Sequence, residues 1–440
     1  MAGDARTLLE ALYRAAVHAA HPDGCLAAHL PPLPTSGRLI VIGAGKAGAA
    51  MAAIAERHYR DRGELSRIAG ALTAPYGYAA TLGATAPNTL EIVEGRHPTP
   101  DEGSVRAADR ALALARSSTP DDLVLVLVSG GASALWAAPA DGLTLADKTA
   151  LTRGLLKSGA DIHEMNTVRR HLSRIKGGRL AAAANGAELL TLAISDVPGD
   201  DPATIGSGPT VADPTTLADA RAVIARLRPR MEALGLPVPD AVLRVLADPR
   251  NETAKPGDPA FARSAYRIIA TPKVALEAAT AIADKAGFVV HNLGDQVTGE
   301  ARDIAAAHAK LALEAKAAGR RVAILSGGEL EVTVRNRAGK GGRSQDYALA
   351  LAIALDGAPG ISALAADTDG IDGGEGAVGD PAGAVVVPGL LAAAARRHLD
   401  AKKFLDDNNA TPFFAAMDCL LTTGPTHTNV NDFRAILIDP

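Results

Sequence analysis

The chain has 440 residues, 48% of them hydrophobic, and a formal net charge of −4. That length suits two domains better than one, and the mild negative balance offers no basic field to gather nucleic acid. Cys25 and Cys419 are the only cysteines, too few for a disulfide framework or a thiolate metal centre, which fits a reducing, cytoplasmic setting.

At the start, Leu9, Leu12, Tyr13, Ala16, Val17 and Ala20 recur at helical spacing behind an early acidic residue, predicting an amphipathic helix and not a signal peptide. No apolar run approaches the roughly 20 residues that span a bilayer, so no membrane is expected as a partner. Short runs rich in Val, Ile and Leu then alternate with Ala-rich helical stretches, and each ends in a cluster of glycine, serine or aspartate. In the first half they cover 38–42, ending in GAGKAG, 123–128, ending in SGGAS, and 188–194, ending in SDVPGDD. In the second half they cover 266–270, 288–291, 321–325, ending in SGGEL, 361–365, ending in ADTDG, and 419–421, ending in TTGPTHTNVND. Strands feeding helices in this way predict α/β domains with mainly parallel sheets. The polar, proline-containing stretch 247–260 reads as a linker, which divides the chain into domains at 1–250 and 261–440.

Gly43, Gly45 and Gly48 spell G-x-G-x-x-G between a strand and a helix, the context of a dinucleotide fingerprint. A nicotinamide site would also require a carboxylate at the end of the next strand, but that run closes in Thr73, Ala74 and Pro75. Inside the turn stands Lys46, a point cation at a helix start, where an anion is the natural guest. The two SGG turns, Ser129, Gly130 and Gly131 with Ser133, and Ser326, Gly327 and Gly328, combine close backbone approach with hydroxyl donors suited to phosphate. No G-x-x-x-x-G-K-[ST] loop accompanies them. Asp196, Glu329 and Asp369 lie just past strands on glycine-rich loops and are candidate Mg²⁺ ligands, whereas Asp200, Asp201 and Asp372 read as turn formers or caps. Arg343, in GKGGRSQDYALA, offers a delocalised charge to a transferring phosphoryl group. Ser207 and Gly208 in one polar loop, and Thr426 and Asn429 in another, are further candidate contacts. His97, His171 and His427 show no paired spacing, so zinc is not expected, and the absence of G-x-S-x-G argues against an α/β-hydrolase.

Together, VIGAGKAG, EGRHPTPDEGS, VSGGASAL, MNTVRRHLSRIKGGRLA, ISDVPGDDPATIGSGPT, ILSGGELEVTV, GKGGRSQDYALA, AADTDGIDG and TTGPTHTNVNDF closely resemble the class II glycerate kinases. The resemblance implies two Rossmann-like α/β/α domains, the second a MOFRL domain, with an interdomain active-site cleft. It implies transfer from ATP to D-glycerate, giving 2-phosphoglycerate with Mg²⁺ as cofactor. The family's catalytic lysine falls on Lys46 and its catalytic arginine on Arg343, and the two are expected to clamp the substrate while Asp196 orients the attacking hydroxyl. The family often carries asparagine and glutamate where this chain has Ser344 and Asp346, and glycine in place of His427. Some relatives bear the label hydroxypyruvate reductase, so a nicotinamide-dependent reductase is the alternative. A homodimer is left open.

Overall fold

The computed structural model describes residues 2–374 and 376–440. They form two compact units: Leu26–Ile269, and Ala270–Pro440 joined by the N-terminal residues through Cys25.

The first unit is built on the strands Leu39–Ala44 (β1), Ile68–Pro75 (β2), Glu91–Gly95 (β3), Leu123–Val128 (β4), Glu188–Ile194 (β5) and Ser264–Ala270 (β6). They lie in the order β3-β2-β1-β4-β5-β6, and the pairings of β1 with β2 and β4, β2 with β3, and β4 with β5 are parallel. Every residue of β1 and β4 is buried, as a parallel sheet covered on both faces demands of strands such as LVLVLV. Helix Gly48–Arg60 approaches this sheet closely, because a Cβ on Gly48 would meet the Thr73 carbonyl at 2.3 Å. A second, smaller core gathers Leu151, Leu155, Met165, Ile224, Leu227 and Met231 from helices beyond β4 and β5.

The second unit contains Val289–Asn292 (β7), a parallel pair of short strands Gly299–Glu300 (β8) and Leu330–Glu331 (β10), and Val322–Ser326 (β9). Its remaining strands are Ile361–Asp367 (β11), Gly383–Val386 (β12), Leu420–Leu421 (β13) and Asp432–Ile438 (β14). The main sheet runs β13-β12-β11-β14-β9-β7. Only β7–β9 is parallel among its described pairings. This sheet therefore departs from the parallel expectation. A parallel neighbour needs a crossover that returns the chain to the end where the first strand began, but β12 starts at the end where β11 stops, Gly383 opposite Ala366. The central strand β14, all seven residues buried, was hidden from the sequence reading behind the glycine- and threonine-rich loop that precedes it.

The expected division at 250/261 is revised in two respects. The N-terminal helix Ala2–Ala20 belongs to the second unit, where Leu9, Leu12, Tyr13 and Ala16 are buried and Tyr13 Oη donates to the Asp367 carbonyl at 2.9 Å. The stretch 247–260 is no linker. Glu252 accepts from Leu217 N at 3.0 Å, lies 3.0 Å from His171 Nε2 and pairs with Lys255 at 2.6 Å. The chain then forms β6 at the edge of the first sheet, which assigns that strand to the first unit.

Candidate active site

In the first unit, β1 leads into Gly45 at φ +143°, where a Cβ would fall 2.0 Å from Ser129 Oγ. Only glycine fits there. The turn's amides are all engaged: Gly45 N donates to Thr73 O at 3.1 Å, Lys46 N to Gly130 O at 2.8 Å, Ala47 N to Ser129 Oγ at 3.0 Å and Gly48 N to Gly45 O at 2.9 Å. A dinucleotide fingerprint depends on free amides to receive a pyrophosphate, and here β2, the SGG turn after β4 and the glycine turn itself hold them. The Ser129 hydroxyl, 1% exposed, acts as an internal clamp on this turn.

Gly131, at φ +85°, leaves room for two side chains at once: a Cβ there would meet His97 Cδ2 at 3.0 Å and Lys46 Cγ at 3.5 Å. His97 was considered in the sequence only as a zinc ligand, and its position beside Lys46 comes from the pairing of β2 with β3 and of β1 with β4. Farther along the SGGAS segment, Ser133 Oγ lies 3.0 Å from Ser207 Oγ, and Lys176 Nζ donates to Ser133 Oγ at 3.0 Å. The carbonyl of Gly208 accepts from Gly178 N at 2.7 Å, anchoring the loop that carries Ser207. Asp196 is half-buried just beyond β5. Burial, then Asp201 and Asp196, push the Tyr266 hydroxyl up. Asp201 turns its loop through Thr204 Oγ1 at 2.7 Å, as expected of a turn former.

In the second unit, Arg343 opens the helix Arg343–Leu355 and is held by three carboxylates. Its Nε donates to Asp432 Oδ1 at 2.7 Å, one terminal nitrogen to Glu329 Oε1 at 2.5 Å and the other to Asp367 Oδ2 at 2.8 Å. Burial alone would disfavour the charge, but Asp432, Asp367 and Glu329 outweigh it and hold the guanidinium protonated. Asp432 also accepts from the buried Arg434 at 3.1 Å and from Leu330 N at 3.2 Å. Arg434 Nε in turn reaches Ser326 Oγ at 3.1 Å, and the same guanidinium bonds the Gly327 carbonyl. The SGGEL turn is thus drawn onto β14. Gly328 is closed in as well, a Cβ there lying 2.3 Å from the Val297 carbonyl. Nothing in the sequence singles out Asp432 or Arg434, and Asp367 stands there only as one of several acids just past a strand; the strand register that sets Asp367 opposite Asp432 is what unites them.

Asp372 caps the same helix from outside it, accepting from Ser344 N at 3.0 Å and Gln345 N at 2.8 Å. Asp372 thus acts as the cap it reads as in the sequence, and Gly342 sits at the N-cap because a Cβ there would meet Asp372 O at 2.3 Å. Burial pushes the Asp372 carboxyl up to about 7 against those amides. Thr426 binds the loop after β11, its Oγ1 donating to Thr368 O at 2.5 Å, and Asn429 Oδ1 accepts from Asn431 N at 3.3 Å. Asp369 Oδ1 accepts from Ile371 N at 2.8 Å. Among the described residues no group of three or more His, Cys, Asp or Glu is placed to hold a metal ion.

Residues 8–247 match the family described as Domain of unknown function (DUF4147), and residues 322–432 match the MOFRL family. A protein of Agrobacterium vitis named "Putative hydroxypyruvate reductase" is 47% identical over 439 residues, covering 99% of this chain and 94% of that protein. The D-glycerate 2-kinase of Thermotoga maritima is 34% identical over 432 residues, covering 97% of each. A crystal structure of glycerate kinase from Thermotoga maritima superposes with a TM-score of 0.84 at 33% identity, covering 99% of this chain and 100% of that one. With both family matches in order, kinase relatives aligned along nearly their whole length and a shared fold, the chain belongs to the class II glycerate kinase family.

Proposed function

We propose that the chain transfers the γ-phosphoryl group of ATP to D-glycerate, giving 2-phosphoglycerate. The observation that carries this reading over nicotinamide-dependent reduction is the closed glycine turn after β1. Its four amides are bonded within the unit, and β2, the neighbouring strand, ends in Thr73, Ala74 and Pro75 without a carboxylate for a ribose. What the turn offers an anion is the Lys46 ammonium.

In this reading Lys46 binds the substrate anion as a compact charge, and Arg343 meets the transferring group with its planar fork. Glu329 is the solvent-reached member of the arginine's three partners, its side chain 51% exposed against 6% for Asp367 and 0% for Asp432. Exchange of the Glu329 oxygen for a phosphoryl oxygen would leave the guanidinium still fixed by the other two. Asp196 orients the attacking hydroxyl and accepts its proton. Mg²⁺, when bound, would neutralise phosphate charge, with Asp196, Glu329 and Asp369 as the carboxylates available to it. Little covalent chemistry is asked of the protein, so positioning and electrostatics supply the rate.

The test is a pair of reactions, one with D-glycerate, ATP and Mg²⁺ and one with hydroxypyruvate and reduced nicotinamide, with phosphorus and carbon NMR of the products. 2-Phosphoglycerate in the first alone is expected. Cofactor oxidation in the second without phosphorylation in the first would replace this reading by the reductase.

A further inference from the structure

Lys176 is 2% exposed, and its Nζ donates to Ser133 O at 2.8 Å, to Ser133 Oγ at 3.0 Å and, at a long 3.4 Å, to Gly206 O. Ser133 Oγ lies 3.0 Å from Ser207 Oγ, which donates to the buried Asn166 Oδ1 at 3.2 Å. Every acceptor around this ammonium is neutral. The charges that act on it share its sign: burial, then Lys148 and Arg169, drive Lys176 well down, while burial, then Arg169 and Arg174, bring Lys148 to about 8. Neighbouring cations in the same segment are compensated, Arg170 by Asp213 at 2.9 Å and Arg174 by Asp109 at 2.7 Å. Among the described residues no carboxylate pairs with Lys148, Arg169 or Lys176.

Half-buried cations acting on a buried ammonium with no acid among them disfavour the folded state, and an incoming anion removes that penalty. Two serine hydroxyls, whose protons rotate to suit the guest, and an amide complete a donor set for oxygen. Ser133 lies two residues past Gly131, the glycine against which Lys46 and His97 pack. We propose that Lys176, Ser133, Ser207 and Asn166 form an oxyanion subsite in the first unit, within the field of Lys148 and Arg169, that receives a carboxylate or a phosphate of the reactants. The kinase reading enters only in naming the two sources, the glycerate carboxylate and the ATP phosphates.

The test is calorimetric titration of the full chain with D-glycerate, with Mg-ATP and with inorganic phosphate as the minimal probe, repeated on K176M and on the double variant K148Q/R169Q. The expected result is ligand-selective: K176M loses about tenfold or more in affinity for one reactant and for phosphate, and the other reactant stays within about twofold. The double variant, at two half-buried positions, weakens the same ligand several-fold and decides the matter should K176M fail to fold. Unchanged affinity for both reactants in both variants, or equal loss for both reactants, would overturn the subsite. Selective loss in a protein that forms no phosphoglycerate would keep the subsite and reject the kinase reading, whereas normal turnover with unaltered affinities would do the reverse.

Discussion

Replacing Asp432 by alanine tests the charge network that fixes Arg343. Asp432 is 2% exposed and accepts three hydrogen bonds: from Arg343 Nε at 2.7 Å, Arg434 at 3.1 Å and Leu330 N at 3.2 Å. Removing one partner of a buried ion pair costs about 3–5 kcal/mol, chiefly because the other charge is left uncompensated. Arg343 keeps Asp367 and Glu329, but Arg434, 1% exposed, keeps the neutral Ser326 Oγ, the Gly327 carbonyl and the face of the Tyr347 ring, with no anion among the described residues. The lower end of that range, about 3 kcal/mol, is therefore expected. D432N preserves volume and one acceptor and should cost less. Hydrogen exchange of the β9, β11 and β14 amides reads the change locally, and about 3 kcal/mol corresponds to exchange faster by on the order of 100-fold. Protection in D432A within about 0.5 kcal/mol of the unaltered chain would mean that Arg434 needs no anion and that the network is not what holds the arginine.

The remaining predictions concern the turn, the two cations and the acid side. K46A should lower turnover by at least about 100-fold with unchanged circular dichroism, since the lysine contributes a charge to the reaction. R343K should lose comparable activity and also stability, because an ammonium cannot reproduce a fork shared among three carboxylates. Near-normal kcat in both would remove these residues from the chemistry. G45A should destabilise by about 1–3 kcal/mol in denaturant titration, since its Cβ would overlap Ser129 Oγ at 2.0 Å. For Glu252, burial raises the carboxyl, but hydrogen bonds from Lys255, Leu217 N and His171 prevail and hold it down to about 2. Its contribution is present above the unfolded value of about 4.3 and is lost as pH falls towards 2, so E252Q should show a shallower acid loss over that window. An identical acid profile in E252Q would assign the loss to other groups.

Much of the architecture was legible because local patterns are strong where strands are buried on both faces. LVLVLV, ELLTLAI and ISALAAD announce themselves by continuous apolar runs, and the glycines, serines and acids that follow these three mark the turns that end them. Lys46 and Arg343 stood out because a cation in a glycine turn at a helix start is well placed to meet an anion, and the family resemblance pointed to the same two residues. β14 was less visible: DFRAILI carries an aspartate and an arginine whose burial makes sense only once their partners on other elements are known.

Composition, motif order and strand periodicity by themselves determined the α/β class, the run of glycine turns and the lysine and arginine candidates, since each depends on residues close in sequence. Tertiary structure alone decided that the N-terminal helix joins the second unit, that β14 threads antiparallel between β9 and β11, and that three acids converge on Arg343. Those outcomes rest on pairing between segments up to hundreds of residues apart, where hydrogen-bond register and the need to compensate buried charge select the partner, and neither leaves a trace in local spacing.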